Sequence, residues 1–370
     1  MKTQSDILAL TRFDMNLKLR DKNECLFDEV SLGEVMLRLD PGEGRIRTAR
    51  SFNVCEGGGE YNVARALRKC FGMKTAVVTA IADNEVGALT EDLIMQGGVD
   101  TSFINKVEFD GIGRNVRNGL NFTERGFGIR GAVGMYDRGY TAASQMKTGD
   151  VDWDHIFGEL GVRWFHTGGI FTALSKSTAE LTVQAVKKAK EYGVAVSYDF
   201  NFRPSLWKNV GDKAEVYRIN REIAECVDVF IGGKFDFEQC LGIDFGDKSE
   251  YGEICERVMA EYPNVSLMAS TARQVKSASV NSWKAVCYSD GKLYNSIEYP
   301  ALEIFDRVGG GDGFASGLIY GLMNSYSPEV SLNYGVVHGA LVMTTPGDTS
   351  SASLKEIESQ LSGCGSAVQR

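Results

Sequence analysis

From residue 30 onward, short runs of apolar and β-branched residues alternate with longer segments in which apolar residues recur every three or four positions. The short runs are typical of buried strands, and the longer segments are typical of helices that pack on a sheet. The clearest predicted strands are residues 30–32, 76–79, 194–197, 227–231 and 265–268. This alternation predicts an α/β fold with a mainly parallel central sheet and helices on both faces.

Three helices are predicted between these strands from their start and stop signals. Residues 60–70 follow three glycines and stop before another, and residues 85–96 stop at a pair of glycines. A third helix is predicted over residues 177–192, because Ser177 and Glu180 have the spacing of a capping box and a glycine follows the last apolar position. A helix between two strands of this kind indicates a βαβ unit.

Two segments interrupt the alternation. Residues 35–53 and 113–140 contain extended, glycine-punctuated runs without a helical period. We expect them to form a small sheet that stands off the main domain. The alternative is that they are two unrelated surface hairpins.

Composition limits the possible classes of protein. The chain has 370 residues, of which 43% are hydrophobic and 24% charged, which suits one large α/β domain with a small appendage. We expect this domain over residues 28–362, with an N-terminal arm of residues 1–27 and a tail of residues 363–370. The net charge is −9 without a Lys/Arg block, so a nucleic-acid partner is not expected.

Cysteine usage and the N-terminal residues indicate a cytoplasmic protein. The eight cysteines are scattered without a Cys-x-x-Cys pair, which is typical of reduced thiols and indicates neither zinc nor a disulfide framework. The apolar patch at residues 7–10 is too short for a signal sequence or a membrane span, so no membrane association is expected.

The segment from Asp306 to Phe314 carries the most informative chemistry. Three consecutive glycines, Gly309, Gly310 and Gly311, lead into an apolar run over residues 312–325 that is predicted to be a helix. Their N–H groups and those of the first helical turn would converge as an anion hole. The carboxylate of Asp312 beside such a hole suits phosphoryl transfer, in which it takes a proton from the attacking hydroxyl. A structural alternative is a glycine-rich turn whose aspartate only caps the helix.

The spacing Asp-x-x-Gly-x-Gly-Asp-x-Phe resembles the C-terminal signature of the ribokinase-like (PfkB) carbohydrate kinases. This resemblance implies a ribokinase-like fold whose small β-sheet forms a lid over the sugar site, and it makes Asp312 the catalytic base. The glycine-rich segment over residues 57–64 is similar to the N-terminal sugar-binding motif of the same family. That similarity implies that Gly58, Gly59 and Asn62 contact the substrate.

Two further segments, residues 136–144 and 199–207, resemble the corresponding segments of 2-keto-3-deoxygluconate kinases in particular. The resemblance implies that Tyr136, Arg138 and Arg203 contact a sugar acid. A guanidinium offers a planar donor fork that suits a carboxylate, so an acidic substrate is favoured over ribose, fructose or a nucleoside. The alternative is that both arginines are solvated surface charges. Asn121 is placed in the same site, where many relatives carry a tyrosine, and this departure leaves the exact sugar open.

The predicted nucleotide site departs from the family pattern. Relatives usually carry Asn-x-x-Glu where this chain has Gly233 and Asp236, so Asp236 would order Mg²⁺ through water, with no direct protein ligand. Arg273 is predicted to compensate near the phosphates, although it is equally a candidate surface arginine, and Asp306 is predicted to assist the metal. The C-terminal run over residues 333–348 resembles the border of the adenine site, but none of its residues has an assigned chemistry.

The sequence thus predicts a kinase that uses ATP and Mg²⁺ to phosphorylate a small-molecule sugar acid, with 2-keto-3-deoxygluconate as the first candidate. The resemblance also allows a homo-oligomer formed through the lid, as in many family members, but the sequence does not reveal the oligomeric state. Two alternatives stay open: a kinase of the same fold that acts on another sugar such as fructose, and a sugar-binding sensor that has lost turnover. The role of the arm and any monovalent-cation requirement are not predicted.

Overall fold

The computed structural model describes residues 16–363. The strands, in chain order, are β1 (Phe27–Leu32), β2 (Met36–Asp40), β3 (Asn53–Gly57), β4 (Thr75–Asp83), β5 (Ile104–Glu108), β6 (Leu120–Glu124), β7 (Val133–Asp137), β8 (Val162–Gly168), β9 (Ala195–Asp199), β10 (Val229–Ile231), β11 (Leu267–Ala272), β12 (Val280–Ser289), β13 (Lys292–Asn295) and β14 (Tyr299–Glu303). The α-helices are α1 (Gly59–Lys69), α2 (Glu85–Gln96), α3 (Gly169–Thr172), α4 (Lys176–Glu191), α5 (Pro204–Trp207), α6 (Lys213–Ala224), α7 (Lys234–Leu241), α8 (Tyr251–Glu261), α9 (Gly310–Met323), α10 (Pro328–Val342) and α11 (Leu354–Leu361).

Within residues 16–363, ten strands form one large sheet in the order β13-β12-β11-β10-β9-β8-β1-β4-β5, with β14 paired to β12. Neighbouring strands from β11 to β5 run parallel, whereas β12, β13 and β14 are joined in antiparallel fashion. The predicted mainly parallel sheet is confirmed, and each of the five predicted strands overlaps an observed one.

Helices cover both faces of this sheet. Successive residues of one strand point to opposite faces, so Trp164 packs in one core and Phe165 in the other. Residues of α1, α9 and α10 complete the first core, and residues of α4 and α6 complete the second. Because both faces are buried, the strands read as continuous apolar runs rather than as alternating patterns.

The predicted helix boundaries differ in accuracy. Helix α2 occupies the predicted residues because Asn84 caps it, accepting from the N–H of Gly87 at 2.9 Å. The predicted capping box of Ser177 and Glu180 is wrong. Helix α4 begins earlier, and its box joins Ser175 and Thr178, whose side chains each accept from the other's backbone N–H. The chain leaves α3 only three residues before α4, so the helix starts at the first serine that can cap it.

A separate small sheet is confirmed. Strands β3, β2, β6 and β7 form it in that order, and we call it the lid sheet. Strand β3 extends past the predicted limit of residue 53. The segment before β7 contains a tight turn, closed by two backbone hydrogen bonds between Phe127 and Arg130 of 2.8 and 2.9 Å. Met135 and Tyr136 on β7 are exposed, and oligomerisation through this sheet stays a prediction.

Most of the predicted arm and tail, residues 1–15 and 364–370, lies outside the described residues. Residues 16–26 lie against the main domain, where Leu17 and Leu19 pack on the core and the hydroxyl of Ser266 donates to the Asn16 carbonyl at 2.6 Å. Between residues 16 and 363, the structure has no helix that is both long and apolar enough to cross a membrane.

Candidate active site

A cleft of about 820 Å³ lies between the lid sheet and the carboxyl ends of the parallel strands. Ligands of open parallel sheets bind at this edge, because the loops that follow the strands meet there. Most of the site residues predicted from the sequence line this cleft: Gly58, Gly59, Asn62, Asn121, Tyr136, Arg138, Arg203, Asp236, Arg273, Gly309, Gly311 and Asp312.

The start of α9 has the backbone arrangement that the predicted anion hole requires. The helix begins at Gly310, two residues earlier than predicted, and its first described backbone bond runs from the N–H of Gly313 to the carbonyl of Gly309 at 2.8 Å. The N–H groups of Gly310, Gly311 and Asp312 therefore have no acceptor in the described part of the chain. Gly310 is buried behind the cleft, while Gly311 is exposed to it. The N–H groups at the start of α9 therefore present the positive end of the helix to the cleft.

Glycine is required at position 309 by the backbone. Its φ of 79° lies in the left-handed region, and an added Cβ would lie 2.0 Å from the carbonyl oxygen of Asp348. At Gly311 an added Cβ would meet nothing within 4 Å, so this glycine instead leaves open space for a ligand. The two glycines thus serve different purposes, one in the turn and one in access to the amides.

The carboxylate of Asp312 is half-buried at the same helix terminus. Its Oδ2 accepts from Nδ2 of Asn62 at 2.7 Å. Removal from water raises the pKa of Asp312 to about 7; the bond from Asn62 and the charge of Arg203 lower it, and the charge of Asp348 raises it. A carboxylate with this pKa is poised to accept a proton near neutral pH.

We predict that kcat/KM rises with pH through about 7, because Asp312 must be ionised to act as a base. Replacing Asn62 with leucine removes a bond that stabilises the ionised form, so it should raise the pKa of Asp312 and move the acid limb to higher pH. The measurement is the pH profile of kcat/KM for the parent and for Asn62→Leu, since the titration of the substrates themselves affects both equally.

The matched control is Asn121→Ala. Asn121 lines the same cleft but accepts from the hydroxyl of Thr123 at 3.0 Å and does not contact Asp312. Its replacement should change KM while the midpoint of the acid limb stays in place. An acid limb that does not move in Asn62→Leu would contradict the assignment of this limb to Asp312.

Arg138 is held so that part of its guanidinium stays available. Its Nε lies 3.0 Å from Oε2 of Glu34 and 3.2 Å from the sulfur of Met36, and its Cζ lies 5.1 Å from the ring centre of Tyr136. Glu34 is itself fixed by the hydroxyl of Thr141 at 2.6 Å. The terminal nitrogens of Arg138 have no partner in the described residues, on a side chain that lines the cleft.

Three arginines without carboxylate partners in the described chain line the cleft: Arg203, Arg273 and Arg307. Partial burial and the nearby charges of Arg307 and Arg203 lower the pKa of Arg273. Like charges are placed together at a cost unless an anion joins them, so this arrangement suits a negatively charged ligand. Arg307 was missed from the sequence, because inside the aspartate and glycine motif it appeared to be only a spacer.

Asp236 closes the N-terminus of α7. Its Oδ1 accepts from the N–H of Phe202 at 3.0 Å and its Oδ2 from the N–H of Gly233 at 2.9 Å. Each oxygen keeps one lone pair that is not used by these bonds. The carboxylate therefore has the donor set to order a water molecule at the cleft.

Asp306 lies elsewhere than its predicted role requires. It was expected near the metal, but its side chain is 1% exposed and pairs with Arg38 beneath the cleft. The carboxylates of Asp199 and Asp348 do line the cleft, and both were missed. Asp199 ends strand β9, so its place at the carboxyl edge was a usable signal. Asp348 belongs to the C-terminal run that had no assigned chemistry.

Comparison of this sequence with known proteins identifies a family of carbohydrate kinases and relatives that are named as kinases. A sequence model described as pfkB family carbohydrate kinase matches residues 28–355. The chain is 26% identical over 321 residues to the 5-dehydro-2-deoxygluconokinase of Clostridium perfringens, covering 86% of this chain and 88% of that protein. It is 27% identical over 346 residues to the 2-dehydro-3-deoxygalactonokinase of Haloferax volcanii, covering 92% and 98%.

The structure of this chain is also similar to a solved kinase structure. The crystal structure of 2-dehydro-3-deoxygluconokinase from Thermotoga maritima superposes with a TM-score of 0.82 at 35% sequence identity. The match covers 90% of this chain and 99% of that one. The similarity therefore extends over both the large sheet and the lid sheet.

Proposed function

Because the chain belongs to the pfkB family of carbohydrate kinases, we propose that it transfers the γ-phosphoryl group of ATP to the terminal hydroxyl of a keto-deoxy sugar acid. 2-Keto-3-deoxygluconate is the first candidate. The similar proteins from Clostridium perfringens, Haloferax volcanii and Thermotoga maritima are all named for the phosphorylation of such acids.

The residues of the cleft fit a nucleotide with its Mg²⁺. In the described part of the chain, the guanidinium groups of Arg273 and Arg307 have no ion-pair partner and the first N–H groups of α9 have no acceptor. Both features suit a polyphosphate. Asp236 has lone pairs left to order metal-bound water, although Gly233 supplies no amide side chain beside it. Bound Mg²⁺ would offset the negative charge of the phosphates.

In the proposed reaction, Asp312 takes the proton of the terminal sugar hydroxyl. The hydroxyl oxygen forms a bond to the γ-phosphorus, and the bond from that phosphorus to the β,γ-bridging oxygen breaks, so ADP leaves. The N–H groups of Gly310, Gly311 and Asp312 receive the charge that spreads over the transferring group. Asn62 holds the base in position through its bond to Oδ2.

One observation carries the choice of a sugar acid: among residues 16–363, Arg138 and Arg203 keep guanidinium nitrogens without a partner, in the same cleft as the proposed base. A neutral sugar would leave these donors without a charged acceptor, whereas a carboxylate forms charge-assisted bonds with them. Arg138 enters from the lid sheet and Arg203 from the loop after β9, so an acid between them would be held from two sides.

The test is ADP release by the purified protein with a panel of 2-keto-3-deoxygluconate, its galactonate epimer, 5-keto-2-deoxygluconate and fructose. We expect kcat/KM for a sugar acid to exceed that for fructose by roughly tenfold or more. A preference for fructose would support the rival kinase. Binding of an acid without ADP release under any condition would support the sensor.

A further inference from the structure

Arg38 lies on the lid-sheet strand β2, yet its side chain is fully buried. Its Nη2 donates to Asp40 at 2.7 Å and also to Asp306, while its Nη1 donates to Asp348 at 2.5 Å. Carboxylates from three distant parts of the chain thus meet at one guanidinium. We refer to Arg38, Asp40, Asp306 and Asp348 as the Arg38 cluster.

The cluster fixes the two segments that shape the anion hole. The carboxylate of Asp306 accepts from the N–H of Val308 at 3.1 Å and from the N–H of Gly347 at 3.3 Å, which joins these segments. The carbonyl of Asp348 packs so closely against Gly309 that no side chain fits there. Since Gly309 is the residue before α9, Asp306 and Asp348 connect the guanidinium to the first turn of that helix.

The cluster also places a charge beside the catalytic base. Burial raises the pKa of Asp348, and the charge of Arg38 lowers it, so the guanidinium favours the ionised form of this carboxylate. Asp348 lines the cleft, and its charge raises the pKa of Asp312. A change at Arg38 is therefore expected to reach the base through Asp348.

We propose that Arg38 is a positioning residue that fixes the anion hole against the lid sheet and holds the Asp348 carboxylate beside the base. This proposal rests on the proposed function, because the hole and the base are those of phosphoryl transfer. Arg38 itself does not line the cleft. Its effect is on the position of the α9 amides and on the charge next to Asp312.

Two replacements of Arg38 separate its geometry from its charge. Arg38→Lys keeps a cation but loses the fork that reaches three carboxylates, and Arg38→Met loses both. In either variant, we expect kcat to fall on the order of 10²-fold and MgATP affinity to weaken, because the amides are displaced. In Arg38→Met, Asp348 should bind a proton, so the acid limb should move to lower pH, and lysine should restore its midpoint towards the parent's.

Two further variants remain informative if Arg38→Met does not fold, since an uncompensated buried carboxylate is strongly destabilising. Asp348→Asn keeps an acceptor for Nη1 but removes the charge, so it should lower the pKa of Asp312 and move the acid limb to lower pH. Asp40→Asn removes a carboxylate of the same cluster that has no direct effect on the pKa of Asp312. The charge of Asp40 raises the pKa of Asp348, so its removal favours the ionised form of Asp348 and keeps that charge next to the base. Its acid limb should keep the parent's midpoint.

The experiment combines thermal melting, calorimetric MgATP binding without sugar and the pH profile of kcat/KM. A parent that binds MgATP but phosphorylates no sugar would end the proposed function, while MgATP binding would still test the role of Arg38. A folded Arg38→Met with the parent's MgATP affinity would overturn the proposal. An Asp348→Asn profile that coincides with that of Asp40→Asn would overturn it equally.

Discussion

Asp312→Asn should lower kcat by about 10²–10⁴-fold, the usual effect of removing a general base. Asparagine has nearly the same shape and still offers an oxygen to Nδ2 of Asn62, the group that now donates to the carboxylate at 2.7 Å. It cannot accept the proton of the sugar hydroxyl. We therefore expect single-turnover rates to collapse, while calorimetry shows sugar-acid and MgATP affinities close to those of the parent. The residual activity should also lose the acid limb near pH 7.

Asp199→Asn is the matched control for removing a carboxylate from the same cleft. Asp199 lines the cleft at the end of β9, and burial, with the neighbouring charges of Asp312, Asp236 and Glu60, raises its pKa. It has no bond to Asn62 and does not lie at the start of α9. Its replacement should cost much less in kcat and should keep the acid limb. Equal losses in the two variants would show that removal of any carboxyl group from the cleft, rather than loss of the base, explains the result.

Local patterns predicted most of the fold. The alternation of apolar runs and amphipathic segments predicted the parallel sheet, and the pair of glycines after α2 predicted where that helix ends. The errors arose where two local signals competed. Around α4, Ser175 and Ser177 both precede a residue able to complete a capping box, and only the path of the chain after α3 decides between them.

Residues of the cleft could be predicted from the sequence only where they lie in a short motif. Gly309, Gly311, Asn62, Arg138 and Arg203 line the cleft, and each was predicted because it lies in a short motif. Two of the partners of Arg38, Asp306 and Asp348, could not be found in this way, since they are 268 and 310 residues away in sequence. From its place in a motif, Asp306 was interpreted as a residue near the metal. In the structure, its carboxylate instead accepts a hydrogen bond from Arg38 of the lid sheet. Long-range ion pairs of this kind follow from topology, which a local pattern does not contain.

Arg203→Met should reduce kcat/KM for the sugar acid by roughly ten- to a hundredfold, as expected for the loss of a charge-assisted bond of about 1.5–3 kcal/mol. Methionine keeps most of the apolar stem and deletes only the donor fork. Arg203 has no carboxylate partner in the described chain, so its removal leaves no protein charge unpaired. Arg138→Met should show the same discrimination together with a lower melting temperature, because it leaves the buried Glu34 without its cation.

The decisive quantity is the ratio of kcat/KM for the acid to that for the neutral sugar in which an alcohol replaces the carboxylate. Any effect of Arg203 on the pKa of Asp312 cancels in this ratio, because both sugars use the same base. Arg117→Met provides the control: Arg117 pairs with Asp137 at 3.0 Å near the lid sheet but does not line the cleft. It should leave the ratio unchanged. If Arg203→Met lowers both sugars equally, its guanidinium serves the nucleotide or the fold, and the assignment of a sugar-acid substrate loses its physical basis.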